Sequence, residues 1–235
     1  MKLTLDTLYK LLLERFGNLN WWPIDKNYHE KNGSDLRFEI IVGALLTQNT
    51  AWSNVEKALA NLKSKNMLDL KKMVNIDIVN LQNMIKPSGF FNQKAKRLKK
   101  LALYLHNNYH NNLDTFFNRD IYVIREELLS LSGIGPETAD SILLYAGNLP
   151  IFVVDSYTKR ICERLPLDTI ISYNDIQRYF ESNISKIFPE EELTQKYNEM
   201  HALIVILAKN YCKKKPECFI CPLKKYCMFR KHLSQ

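Results

Sequence analysis

The sequence contains few glycines and very little that is typical of a β-strand. Glycine occurs seven times in 235 residues, so we expect short connections between regular elements. The segment IFVV at positions 151–154 has strand-like composition, but it is too short to build a sheet. The sequence therefore predicts an all-α fold.

Long apolar runs are also missing. No stretch approaches the length that a membrane-spanning helix needs. The first residues, MKLTLDTLYKLLLERF, include Asp6 and Glu14 and lack a small-residue cleavage site, so they do not resemble a signal peptide. We expect a cytoplasmic protein with no membrane partner, whose five cysteines are reduced thiols and not disulfides.

Charge of one sign predominates. The chain has a formal net charge of +8 and a pI near 9.1. This excess indicates a polyanionic partner, although a basic surface can also be inert. With 46% hydrophobic and 25% charged residues, the composition is that of a globular protein with one large domain or two smaller ones.

Apolar residues recur at helical spacing in four segments. They are Phe38, Ile41, Val42, Leu45 and Leu46; Leu98, Leu101, Leu105 and Tyr109; Ala139, Ile142, Leu143 and Ala146; and Met200, Leu203, Ile204 and Leu207. The sequences GNLP at 147–150 and HEKNGSD at 29–35 are candidate boundaries between domains.

The stretch SGIGPETAD at positions 132–140 predicts a tight turn between two helices. Gly133 and Gly135 permit positive φ, and Pro136 suits the first position of the second helix. Backbone amides of such a turn and the following helix N-terminus can bind an anion without any side chain. A purely structural glycine turn remains the alternative.

Two further features point to a phosphate partner and to chemistry. In GFFNQKAKRLKKLALYL, Lys96, Arg97 and Lys100 fall off the leucine stripe; they form either a solvated face or a phosphate track, and we assign DNA contacts to Lys94 and Lys96. In VVDSYTKR, Asp155 precedes a predicted helix, where it is either a simple N-cap or a rigidly held reactive carboxylate.

Four cysteines near the C-terminus have the spacing C-x5-C-x2-C-x5-C. Cys212, Cys218, Cys221 and Cys227 predict a metal site, because four thiolates in a reducing compartment are metal ligands. Zinc sites more often have two C-x2-C pairs, so this loop favours a [4Fe-4S] cluster over zinc. Cys162 stands alone on a predicted helix and is expected in the core.

The order of glycine hairpin, aspartate and cysteine loop resembles the helix-hairpin-helix DNA glycosylases of the endonuclease III superfamily. The resemblance runs from about residue 35 to Cys227. It implies a helical lobe with the hairpin at 35–147 and a second lobe, from 1–34 and 148–235, that carries an iron–sulfur loop at 212–227. It also implies double-stranded DNA with a damaged base as the partner, lying across a groove between the lobes of a monomer, and hence a nucleoid-associated location.

Residue roles follow from the same resemblance. Asp155 falls on the family's catalytic aspartate, Gln48 of LTQNT on the residue that fills the gap left by the flipped base, and Phe90 on the second wedge position. Glu137 replaces the lysine of bifunctional members. A carboxylate cannot form a Schiff base, so this substitution argues against lyase activity and suits the first turn of a helix.

Tryptophans indicate the branch. The chain resembles the 3-methyladenine DNA glycosylase branch of the superfamily, in which aromatic rings sandwich the flipped base. The resemblance rests on WWP with Trp21 and Trp22, on LTQNT followed by Trp52, and on an acidic residue in the hairpin. Known members of that branch can lack the cluster, so this chain would combine the pocket of one branch with the cysteine loop of another.

The sequence therefore predicts a monofunctional base excision repair glycosylase for an alkylated purine such as 3-methyladenine, with Trp21, Trp22, Trp52 and Glu137 near the base. An endonuclease III-like glycosylase/AP lyase for oxidised pyrimidines is one alternative, and a non-catalytic DNA-binding module is another. An adenine-mismatch glycosylase is less expected, since those enzymes carry a further C-terminal domain and the chain ends eight residues after Cys227.

Overall fold

The computed structural model describes residues 3–167 and 172–229. These residues form helices and loops, with no β-strand among them. In chain order the α-helices are α1 (Leu5–Phe16), α2 (Lys26–Asn32), α3 (Leu36–Leu46), α4 (Trp52–Ser64), α5 (Leu70–Asn75), α6 (Ile78–Ile85), α7 (Phe91–Tyr109), α8 (Leu113–Phe117), α9 (Ile121–Ser130), α10 (Pro136–Ser141), α11 (Ser156–Arg164), α12 (Tyr173–Ile184) and α13 (Leu193–Asn210). Short 3₁₀ helices span Lys86–Ser88 and Glu190–Glu192, and Ile142–Ala146 forms a π-helix.

The chain divides into two compact units. Trp22–Leu149 forms the hairpin unit, and Met1–Trp21 with Pro150–Gln235 forms the terminal unit. The hairpin unit begins earlier than the residue-35 boundary expected from the sequence, because α2 packs into it. His29 Nε2 of α2 lies 2.8 Å from Oε2 of the buried Glu39 in α3, and Lys63 Nζ of α4 lies 2.7 Å from the other oxygen of the same carboxylate.

The four apolar stripes predicted from the sequence lie in the two cores. Within the hairpin unit, Phe38 to Leu46 are buried along α3, and the leucines of α7 are buried at 98, 101 and 105. The π-helix that follows α10 is buried along its whole length. In the terminal unit the stripe of α13 is buried, as the 3.6-residue period requires.

Aspartate begins many of the short helices. Asp25, Asp35, Asp69, Asp77 and Asp120 each accept a hydrogen bond from a backbone amide in the first turn of the helix that follows. Such caps satisfy amides that have no partner within the helix, which is how a chain with so few glycines still makes frequent turns.

The IFVV segment is extended and buried without being part of a sheet. Side chains of α12 satisfy its backbone: Glu181 accepts from Phe152 N at 2.9 Å, and Gln177 donates to Phe152 O at 2.7 Å. Residues 151–154 therefore end in a fixed position immediately before Asp155.

Candidate functional site

The turn at residues 132–135 joins α9 to α10 in the hairpin unit. Gly133 has φ +90°, and a Cβ there would lie 2.1 Å from Arg97 Nε of α7. Gly135 has φ −98° and is the N-cap of α10, with Pro136 next in the helix. The expectation that both glycines provide positive φ is therefore wrong for Gly135, where the extended backbone is open to any residue. A Cβ at Gly135 would meet no atom within 4 Å.

Gln48 is half-buried against this turn. Its Nε2 donates to Gly133 O at 2.9 Å and to Thr138 Oγ1 at 2.9 Å, while its Oε1 accepts from Arg97 at 2.6 Å. The predicted wedge residue is thus held by the hairpin, and entering a DNA stack would require it to release these three contacts.

Lys94 is not available to bind DNA. Its side chain is 1% exposed, and Nζ donates to Leu46 O, Thr50 Oγ1 and Ser88 O at 2.8, 2.6 and 2.7 Å. Burial, together with the charge of Arg97, lowers the pKa of Lys94 to about 8. The prediction of a phosphate contact at Lys94 is wrong because three oxygens from elsewhere in the unit occupy all three ammonium donors.

Phe90 and Lys96 do reach the surface. Phe90 is 65% exposed and adopts a left-handed backbone with φ +46° and ψ +29° immediately before α7. A bulky aromatic residue rarely adopts this conformation, and such strain concentrates at functional positions. Lys96, one turn into α7, is exposed, as a contact with phosphate requires.

Two of the three tryptophans pack together. The rings of Trp22 and Trp52 are 5.2 Å apart at 86°, and Trp22 also lies 5.2 Å from Tyr145 in the π-helix. Only glycine fits at position 43 beside them, because a Cβ there would lie 2.9 Å from the Trp22 ring. Trp21 is half-buried at the end of the terminal unit's first segment.

A buried ion pair holds the two hairpin helices. Asp140 of α10 is 0% exposed, and its Oδ1 accepts from Arg125 Nε of α9 at 2.6 Å. Glu137 lies exposed in the first turn of α10, where the helix dipole favours an acid. The ion pair between Asp140 and Arg125 joins α10 to α9 and so holds the two helices on either side of the glycine turn.

Asp155 caps α11 in the terminal unit. Its Oδ1 accepts from Thr158 N at 2.7 Å and from Thr158 Oγ1 at 2.9 Å, and its Oδ2 lies 3.7 Å from His201 Nε2 of α13. Burial opposes ionisation, but the proximity of His201 and the hydrogen bonds from Thr158 outweigh it and hold the pKa of Asp155 below its usual value. The structure confirms the helix cap, and the reactive role of this carboxylate stays a prediction.

The four C-terminal cysteines line a single cavity of the terminal unit, together with Arg164, Tyr211, Pro216, Lys224 and Phe229. None of them forms a disulfide, and Arg164 lies 3.2 Å from Cys212 Sγ. Burial, with the charges of the three neighbouring thiols, raises the pKa of Cys221 to about 11.

The four cysteines line one cavity but do not form a ready-made site for a single ion. Among residues 3–167 and 172–229, no three or more His, Cys, Asp or Glu side chains are arranged to hold one metal ion. A [4Fe-4S] cluster takes one thiolate at each of four separate irons, so its ligands surround a volume and do not converge on a point. The four cysteines that line the cavity match the number of thiolates that such a cluster takes.

The model of one protein family matches the central part of the chain, from within α3 to just after α12. It is that of the HhH-GPD superfamily base excision DNA repair proteins, and it matches residues 42–186, more than half of the chain. The chain belongs to this superfamily. The predicted family, the predicted all-α helix-hairpin-helix glycosylase fold and the general class of DNA glycosylase are thereby confirmed.

Individual HhH-GPD proteins are similar over nearly their whole length. The provisionally named DNA repair glycosylase of Methanocaldococcus jannaschii is 44% identical over 223 residues, 94% of each chain. The structure of H. pylori 3-methyladenine DNA glycosylase (MagIII), with 1,N6-ethenoadenine bound, has a TM-score of 0.71 at 32% identity, covering 86% of this chain and 96% of the other. A non-covalent endonuclease III–DNA complex has a TM-score of 0.74, with 99% and 100% coverage, but its 22% identity shows only the shared fold.

Sequence reasoning gave no role to two residues of this HhH-GPD protein that lie beside the predicted ones, and it placed a third, Arg97, only among the candidate phosphate contacts. His201 faces Asp155 and Tyr145 contacts Trp22, while Arg97 lies across Gly133. The sequence gave Tyr145 and His201 no role, because the residues that they contact are distant along the chain. None of the described helices is long and apolar enough to cross a membrane.

Proposed function

We propose that this HhH-GPD protein is a monofunctional DNA glycosylase that removes alkylated purines, with 3-methyladenine as the preferred base. The observation that carries this proposal is the packed pair Trp22 and Trp52 in the hairpin unit. The likeness to a 3-methyladenine glycosylase at 32% identity over 86% of the chain supports it.

The chemistry of the lesion fits aromatic recognition. Alkylation at N3 gives adenine a positive charge, and tryptophan ring faces attract cations by roughly 1–2 kcal/mol when desolvated. The same charge weakens the glycosidic bond, so the base leaves without a strong general acid. Tyr145 extends the aromatic group through Trp22, and the π-helix that carries Tyr145 is a local irregularity frequent at functional sites. Trp21 and Glu137 stay predicted neighbours of the base on the sequence resemblance alone.

Asp155 is the proposed catalytic residue. Because Oδ1 already accepts two hydrogen bonds from Thr158, Oδ2 is the oxygen that would face the developing sugar cation and orient or deprotonate the attacking water. Its lowered pKa keeps the carboxylate ionised at neutral pH, and His201 beside Oδ2 positions it.

DNA contacts are assigned to the surface of the hairpin unit. The amides of Gly133 and Gly135 would hold a phosphate, with Lys96 providing a further positive charge. Phe90 would enter the base stack as an exposed aromatic wedge, and Gln48 would fill the gap after release from Gly133 and Thr138.

The residue at position 137 decides whether the DNA strand is cut after the base has been removed. With glutamate there and not lysine, no Schiff base with the sugar can form at that position, so the product is an intact strand with an abasic site. The second candidate function is an endonuclease III-like glycosylase/lyase for oxidised pyrimidines, which the cysteine loop favours.

A methylated duplex and a duplex containing thymine glycol, tested side by side, separate these functions. We expect release of 3-methyladenine from the methylated duplex, no strand cleavage, and no covalent enzyme–DNA adduct trapped by borohydride. Asp155→Asn is the matched control, and it should abolish release while DNA binding persists. Release of thymine glycol with strand cleavage and a trapped adduct would establish the second candidate, and binding without any release would indicate a non-catalytic module.

A [4Fe-4S] cluster held by Cys212, Cys218, Cys221 and Cys227 is part of the proposal. Such a cluster can carry electrons and fixes the loop that supplies its ligands. We expect yellow-brown protein with about four irons per chain. Cys221→Ser should lose iron, whereas Cys162→Ser, which alters a buried thiol of α11 outside the cavity, should keep it. Colourless protein with one zinc per chain would contradict the assignment.

A further inference from the structure

Lys94 lies in the interior of the hairpin unit with no acidic partner among its hydrogen bonds. Its three acceptors are two backbone carbonyls and one hydroxyl, all neutral. Burying a cation is costly, and a leucine or methionine would fill the same volume at less cost. A charge kept here in spite of that cost calls for a reason beyond packing.

The three acceptors come from two loops that are far apart in sequence. Leu46 is the last residue of α3, and Thr50 lies four residues further along the chain. The contacts of Lys94 with Leu46 O and Thr50 Oγ1 therefore lie on either side of Gln48 in the sequence. Ser88 O ends the 3₁₀ helix two residues before Phe90. Thr50 Oγ1 also donates to Ser88 O at 2.5 Å, which joins the loops directly.

Lys94 also holds Phe90 through its backbone. The amide of Lys94 donates to Phe90 O at 3.0 Å, so the strained residue lies between an anchor at Ser88 and an anchor at its own carbonyl. Gln48 lies in the same way between fixed points at Leu46 and Thr50. Lys94 therefore contacts the backbone or side chains on either side of Gln48 and before Phe90, and it contacts neither of these two side chains itself.

We infer that Lys94 is a positioning residue that sets the two wedge-bearing loops in register, so that Gln48 and Phe90 enter the DNA stack together. This rests on the proposed function only in taking those two side chains as the wedges. Lys94 contacts neither DNA nor the base, and it acts through the positions of Leu46, Thr50 and Ser88.

The chain provides a matched control on the same helix. Lys99 of α7 also donates from Nζ to backbone carbonyls, those of Val74 and Ile76 at the end of α5. Lys99→Met therefore removes a comparable set of ammonium–carbonyl contacts without touching either wedge-bearing loop. Thr50→Val is a milder second variant, because it removes the hydroxyl that joins the loops and keeps the side-chain shape.

The test measures base opening without excision. In an Asp155→Asn background, each variant is bound to a duplex that carries 2-aminopurine at a mispaired target position, and anisotropy confirms saturation. The fluorescence rise on unstacking should fall on the order of tenfold in Lys94→Met, because a misplacement near 1 Å can cost more than that in rate or occupancy. DNA affinity should change much less, since Lys94 contributes no phosphate contact. Thr50→Val should be intermediate, and Lys99→Met should open the base fully.

Three results would overturn the inference. The first is a full fluorescence rise in Lys94→Met, and the second is no fluorescence rise in the parent protein. The third is an equal loss of the fluorescence rise in Lys99→Met, which would indicate general loosening of α7. If Lys94→Met does not fold, the comparison of Thr50→Val with Lys99→Met decides in the same way. Because the readout contains no excision step, an incorrect lesion assignment leaves it unaffected.

Discussion

Phe90→Gly should separate stability from function at the exposed wedge. Phe90 has a left-handed backbone, which costs a residue with a Cβ about 1–2 kcal/mol relative to glycine. Since its side chain is 65% exposed, truncation loses only about a third of the roughly 1.5–3 kcal/mol that full burial of a phenylalanine is worth. The two effects nearly cancel, so the variant should be equally stable or more stable by up to about 1 kcal/mol.

Excision should fall in the same variant. Unstacking a base step costs a few kcal/mol, and losing even about 1.4 kcal/mol of wedge support slows the reaction tenfold. Thermal unfolding followed by circular dichroism should give a melting temperature unchanged or raised by a few degrees, while single-turnover excision on methylated duplex drops at least about tenfold.

Leu103→Gly is the matched control, because Leu103 is 41% exposed in the ordinary helical backbone of the same α7. It should lower stability by about 1 kcal/mol or more and leave excision intact. The reasoning would be refuted if Phe90→Gly lost as much stability as Leu103→Gly, or if it excised the base at the parent rate.

Two further predictions concern the hairpin and the catalytic carboxylate. Gly133→Ala should destabilise the protein by more than about 1 kcal/mol in urea unfolding, because φ is +90° and the new Cβ would lie 2.1 Å from Arg97 Nε; Gly135→Ala, in open space at φ −98°, should be nearly neutral, and equal effects would refute this difference. The pKa of Asp155 is lowered on folding, so its ionised form stabilises the protein above the unfolded value of about 3.9, and this contribution is lost as the pH falls through the folded value. The stability difference between the parent and Asp155→Asn, measured by urea unfolding, should therefore shrink below about pH 4, and a difference that grows on acidification would contradict the assigned shift.

The acid network around His29 shows how the hairpin unit extends beyond its predicted boundary. His29 and Glu39 are 3% and 2% exposed, and Lys63 completes the ion pair from α4. The buried Glu39 carboxylate takes one of its two partners from α2, so α2 packs into this unit although a polar loop follows it in sequence.

The sequence alone determined the features that depend on local spacing. The 3.6-residue period of apolar side chains predicted the helices and their buried faces, since that pattern acts within a few turns. The hairpin turn, the cap at Asp155 and the cysteine spacing are equally local. Each could be recognised because the residues involved are near neighbours in the chain.

Tertiary structure decided which polar residues are available. Lys94 and Lys96 are both lysines of one helix, yet only Lys96 is exposed, because oxygens at positions 46, 50 and 88 surround the other. Tyr145 packs against Trp22, and His201 lies beside Asp155, although each pair is more than forty residues apart in the chain. Contacts of this kind depend on how distant helices pack, and the free energy of burying or pairing a polar group is fixed only when those helices meet.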